Sequence, residues 1–212
     1  MNADIPGPTA RGKPLPDSGA GLDAAGLADS FRGFMSTYFT GVTVVTSLDA
    51  AGRPHGLTCN SLTSVALSPP TLLVCLNLGS GTWGAIRDSG TFVVNLLHDR
   101  ARITAELFAS PMRDRFRHVT WEASPRMALP WLRADTCAIA ECRTTAAHHI
   151  GDHAVVYGEV TGVTTGGDGP HHPLLYGRRS FVDSPFSQPA GSLTAAREED
   201  VALVGKSRHG AS

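Results

Sequence analysis

The apolar residues Leu27, Phe31, Phe34, Met35 and Tyr38 recur at steps of three and four, which predicts an amphipathic helix running from Leu22 to near Gly41 and capping a sheet. The period then shortens to that of strands. Val42–Leu48 and Pro54–Cys59 flank the turn Asp49-Ala50-Ala51-Gly52, the signature of an antiparallel hairpin. A polar patch, Asn60–Ser64, precedes Val65-Ala66-Leu67. After the break Ser68-Pro69-Pro70, the run Thr71–Leu76 reads as a fully buried strand. Thr82–Ser89 predicts a short helix stopped by Gly90, Thr91–Leu97 a strand, and Ala101–Ala109 a helix stopped near Pro111. Residues 111–134 read as irregular, with Trp121 and Trp131 as packing anchors. Strands around Thr136–Thr144 and His153–Val163 flank a loop at 147–152, and a last short strand lies at Leu174–Val182. Hairpin-linked strands with a few inserted helices predict a mainly β fold, a closed or nearly closed antiparallel barrel.

Composition narrows the function classes. In 212 residues, 18 Lys and Arg stand against 19 Asp and Glu, a formal net charge of -1, which argues against nucleic-acid binding through bulk positive charge. With 42% hydrophobic and 17% charged residues the chain can bury one core, expected over residues 22–183. Residues 1–21 and the tail from about Ser184 lack a hydrophobic period and are expected to be disordered and flexible. No run approaches the roughly 18 apolar residues of a membrane span. The first residues carry no apolar segment behind a basic one, so no secretory signal is expected. Cys59, Cys75, Cys137 and Cys142 stand singly in strand-like stretches, as small buried hydrophobes of a reduced, cytoplasmic protein.

Three clusters could carry chemistry. Gly79-Ser80-Gly81-Thr82-Trp83-Gly84 satisfies the G-x-G-x-x-G pattern of dinucleotide folds, with Asp99 downstream, but the preceding hairpin argues against a parallel unit. Either way, small residues and hydroxyls opening a helix suit a phosphate, with Ser80 and Thr82 as donors. Thr58-Cys59-Asn60-Ser61-Leu62-Thr63-Ser64 gathers small hydrogen-bonding side chains after a strand. It reads either as an ordinary Ser/Thr turn or as the uncharged lining of a site for a flat heterocycle. His148, His149, His171 and His172 read as loop histidines, without the spacing of a zinc or iron site. His153 follows the Gly151-Asp152 turn and opens a strand, which would fix its ring at a barrel rim. No G-x-S-x-G elbow, no cysteine beside a base and no paired carboxylates are present, so hydrolysis has no anchor.

Thr40-Gly41-Val42-Thr43-Val44-Val45-Thr46, the run from Pro54 to Val65, Ser68-Pro69-Pro70, Phe92-Val93-Val94-Asn95-Leu96, Asp114-Arg115-Phe116, Gly151-Asp152-His153 and Leu174-Leu175-Tyr176 form an ordered set. Over roughly residues 31–183 this set resembles the flavin reductase components of two-component flavin-dependent monooxygenases, built on the FMN-binding split barrel. The resemblance implies hydride transfer from NADH or NADPH to FMN or FAD, release of reduced flavin to a separate monooxygenase, and a homodimer. It implies that Thr58, Asn60, Ser61 and Ser64 contact the isoalloxazine and ribityl chain, with Cys75, Leu76 and Asn77 along the same groove. Ser80 and Thr82, and less directly Arg115, would hold the phosphate; His153 would meet the nicotinamide, with Tyr176 and Arg178 at the same mouth. No metal is implied. Two departures from the pattern are Cys59, where relatives carry Ala or Ser, and Gly81, where a larger polar residue is common and whose absence loosens the phosphate site. Alternative readings are a split-barrel protein that holds flavin or haem without turnover, and a Rossmann-type dehydrogenase.

Overall fold

The computed structural model describes residues 23–165 and 172–182. The predicted tails, 1–21 and from Ser184, and His171 lie outside these residues. Helix α1 (Ala24–Ser36) starts on Asp23, whose carboxylate accepts the Gly26 N–H at 2.7 Å, and none of its residues is buried. It ends earlier than its apolar spacing predicts. The hydroxyls of Ser36 and Thr37 donate back to the Gly33 and Phe34 carbonyls, and Thr40–Gly41 form strand β1 instead.

From Tyr38 onward the chain forms a second, separate unit. Strands β2 (Thr43–Leu48), β3 (Pro54–Cys59), β4 (Thr63–Leu67) and β5 (Pro70–Asn77) come first. Helix α2 (Gly81–Ser89), strand β6 (Thr91–Leu97) and helix α3 (Arg102–Ala109) follow. The remaining strands are β7 (Glu122–Ala123), β8 (Pro130–Trp131), β9 (Thr136–Ile150), β10 (His153–Thr165), β11 (Leu175–Gly177) and β12 (Ser180–Val182). Seven of them pair in the order β3-β2-β6-β9-β10-β5-β4, and β1-β11-β12 form a small second sheet. Every pairing among the described residues is antiparallel, so the glycine motif does not sit in a parallel crossover unit and the Rossmann reading falls.

The large sheet curls because its inward side chains converge on one core. Val45, Cys59, Leu72, Val74, Leu76, Phe92, Val94, Cys142, Ala154 and Val156 come from six different strands, and Trp83 and Ile86 of α2 pack on the same cluster. Where β3 returns toward β5 no ladder closes the barrel. Ser61 bridges the split instead: its Oγ accepts the Cys75 N–H at 2.8 Å and lies 3.3 Å from the Cys75 carbonyl. On the outside, Ala101, Ala105 and Phe108 at α3 pack with Val42 and Val44. This packing needs Gly56, since a Cβ there would stand 2.7 Å from Phe108 Cε1.

Two elements differ from the sequence expectation. Strand β9 continues to Ile150, so the loop expected at 147–152 shrinks to a turn at Gly151-Asp152, and His148 and His149 are strand residues. They pack edge-on against Tyr157 and Trp83, respectively. The stretch lacks hydrophobic alternation because it is exposed; its ladder with β10 holds it extended. The last strand divides into β11 and β12 around Arg178 and Arg179, both at positive φ. Among the described residues no helix is long and apolar enough to cross a membrane.

Candidate functional site

A groove of about 1380 Å³ opens along the split between β3 and β5, walled by the start of α2 on one side and by residues 108–121 on the other. Its floor follows from strand alternation. Leu72, Val74 and Leu76 of β5 point into the core, which leaves Cys75 and Asn77 on the opposite face. His153 pairs with Asn77 across the β10–β5 ladder, so its ring joins that face at the rim. The Asp152 carbonyl accepts the Leu78 N–H at 2.9 Å, tying the turn before His153 to the loop after β5. The Asp152 carboxylate bonds the His153 Nδ1 at 2.7 Å, and that hydrogen bond holds its pKa below the ordinary value.

Thr58, Asn60, Ser61, Cys75, Asn77, Ser80, Thr82, Arg115 and His153 all line this groove. The Thr58 hydroxyl donates to the Ala105 carbonyl at 2.7 Å, and Ser61 is engaged by β5, so both also hold the groove in shape. Ser80 caps α2 by accepting the Trp83 N–H. Thr82 is only 3% exposed, yet its hydroxyl, on the groove wall, has no hydrogen-bond partner among the described residues. A hydroxyl that meets the groove from an otherwise buried residue, with no protein partner, fits a polar ligand group at the helix start. Arg115 donates to the Gly56 and Ser110 carbonyls while its Nε is buried without a partner, and burial lowers its pKa. No carboxylate pairs with it among the described residues, an arrangement that favours an anion.

Four residues expected at the site lie elsewhere. Leu76 is fully buried in the barrel core, on the other face of β5 from the groove. Ser64 is exposed on β4, the sheet's edge strand. Tyr176 packs against Phe181 in the small sheet, and Arg178 is exposed in the turn beyond it. None of the four lines the groove.

The groove also holds residues that sequence reasoning did not assign to the site. Phe108, Phe116 and Trp121 stack edge-to-face in series, with centroids 5.0 and 6.0 Å apart, and give one wall an aromatic surface. Arg113 and Arg117 stand on either side of Arg115. Arg53 and His55 line it as well, both bonded to Asp49. The Asp49 carboxyl lies well below the usual carboxylate range, chiefly because the Arg53 backbone N–H donates to it. Among the described residues no three His, Cys, Asp or Glu side chains gather in a metal-holding group.

Residues 35–184 match the model of the flavin reductase like domain. The flavin reductase (NADPH) of Lentzea aerocolonigenes is 51% identical over 73% of this chain and 89% of its own. The flavin reductase (NADH) of Kitasatospora aureofaciens is 42% identical over 82% and 93%. Among solved structures, nitrilotriacetate monooxygenase component B from Mycobacterium thermoresistibile superposes with a TM-score of 0.71 at 30% identity, covering 83% of this chain and 95% of the other. A domain match over most of the chain, relatives aligned along nearly their whole length and a shared architecture agree: the chain belongs to the flavin reductase-like family.

Proposed function

We propose that this protein is an NAD(P)H-dependent flavin reductase that passes reduced FMN or FAD to a separate monooxygenase. The observation that carries the reading is the union, in one groove, of the Ser80–Thr82 helix start, the uncharged lining of Thr58, Asn60, Ser61 and Cys75, and the braced His153. At about 1380 Å³ the groove exceeds the roughly 300–1000 Å³ of an ordinary single-ligand site, room suited to a flavin and a nicotinamide together. The flavin, when bound, supplies the chemistry by accepting the hydride. The protein's share is placement. Thr82 and Ser80 hold the phosphate, Asn60, Asn77 and Cys75 border the ring system, and His153 orients the nicotinamide. The aromatic wall keeps water from the opposite side. No acid-base pair is required of the protein. Assembly as a homodimer in the cytoplasm belongs to the same reading, with size-exclusion mass as its check.

The test is NADH and NADPH oxidation measured without flavin, with FMN and with FAD. Flavin-dependent oxidation supports the reading and ranks both preferences; its absence in every combination overturns the reading and leaves a split barrel that holds its ligand without turnover.

A further inference from the structure

The position where Gly81 departs from the family pattern is filled from another strand. His55, on β3, lies against the first residue of α2, so a Cβ on Gly81 would come within 2.9 Å of the His55 Nδ1. The ring is braced from behind. Its Nε2 is 3.1 Å from Asp49 Oδ2, and that carboxylate also accepts the Ala51 and Arg53 N–H groups and the Arg53 Nε. A carboxylate this well supplied with donors stays ionised and takes the Nε2 proton as one more hydrogen bond. The Nδ1 is then the ring's outward nitrogen, without a partner among the described residues, against Gly81 on a groove wall that also carries the Thr82 hydroxyl, which has no protein partner among those residues. Arg53 at the same corner is already bonded to Asp49, so it brings little uncompensated charge there.

From this juxtaposition of His55, Gly81 and Thr82 we infer that His55 is a phosphate-binding residue, donating from Nδ1 as the imidazolium to the terminal phosphate group of the flavin. The inference rests on the proposed flavin site and deepens it. The side chain missing at Gly81 leaves the phosphate loop itself with two hydroxyls and no cation of its own, Arg115 being the basic group supplied from outside the loop. His55 restores one and should make the site discriminate phosphorylated flavins from riboflavin.

Fluorescence titrations with FMN, FAD and riboflavin, on the native chain and on His55→Gln, test this. The variant is expected to bind FMN about tenfold more weakly and riboflavin unchanged, the loss of one charge-assisted hydrogen bond. Unchanged FMN affinity, or equal losses for FMN and riboflavin, would overturn the assignment. Should His55→Gln not fold, the nitrogen resonances of His55 in the native chain decide: a shift of Nδ1 with FMN but not with riboflavin supports it, and equal responses to both overturn it. A native chain that binds none of the three flavins would take down the flavin reading itself, and the proposal with it.

Discussion

Thr82 exposes the physics of the site at its smallest scale, because its residue is packed at a helix start while its hydroxyl, with no protein partner among the described residues, meets the groove and must take its hydrogen bond there. Thr82→Val keeps the shape and removes the donor. FMN affinity should fall by about 1–2 kcal/mol, as for other hydrogen bonds to charged groups, and an unchanged titration would remove Thr82 from the phosphate site. His153 should behave oppositely. Its ring is fixed by a neighbouring carboxylate and a two-residue turn rather than by burial, so His153→Ala should fold normally and bind flavin as before. Turnover should drop roughly 10- to 100-fold through lost orientation of the nicotinamide. Equal turnover in variant and native protein would place the hydride donor elsewhere.

At the scale of elements, the split in the barrel is held by side chains rather than by a ladder, and Ser61 is its principal tie. Ser61→Ala leaves the Cys75 N–H unpaired in a half-buried strand and should cost about 1–3 kcal/mol in urea unfolding. No loss of stability would show that water replaces the hydroxyl. This seam also marks what the sequence reveals and what it withholds. Helix α2 was legible to within a residue because Ser80 and Gly90 punctuate it, and β6 because a short apolar run bounded by Gly90 and His98 admits little else. The second half of β9 was not legible. Its residues, Thr-Ala-Ala-His-His-Ile, are all at least partly exposed, so nothing in their pattern reports the ladder that extends them. The same limit applies to the site. Nine expected residues line the groove because strand register and helix start place them there, while Leu76 fails by one step of alternation. Tyr176 went to a second sheet and Arg178 to the turn beyond it; that sheet includes β1, a two-residue strand too short to announce itself. His55 meets Gly81 through a contact between separate segments, and the Phe108–Phe116–Trp121 wall forms along an irregular stretch without a hydrophobic period, so a chain read in order carries no local signal for either.

Over the whole molecule, stability at high pH should follow the thiol of Cys142. Burial, with the nearby Glu141 charge adding to it, pushes this group up to about 12 from an ordinary 9.0. The unfolded chain therefore releases the proton first, and above about pH 9 stability must fall as pH rises, by up to about 1.4 kcal/mol per pH unit until the native thiol ionises as well. Urea midpoints from pH 8 to 10.5 should show this slope, and Cys142→Ala should flatten it; an identical slope in both proteins would assign the effect to other groups. The turn that carries His153 has a consequence of a different kind. Where the ring stands depends on a main-chain carbonyl at Asp152 gripping Leu78, whereas which ring nitrogen holds its hydrogen depends on the carboxylate of that same residue. Placement and tautomer are thus inherited separately: a lineage that exchanged the acid at 152 for an amide would change which nitrogen carries the hydrogen without moving the ring, so this position is an adjustable dial on a fixed mount.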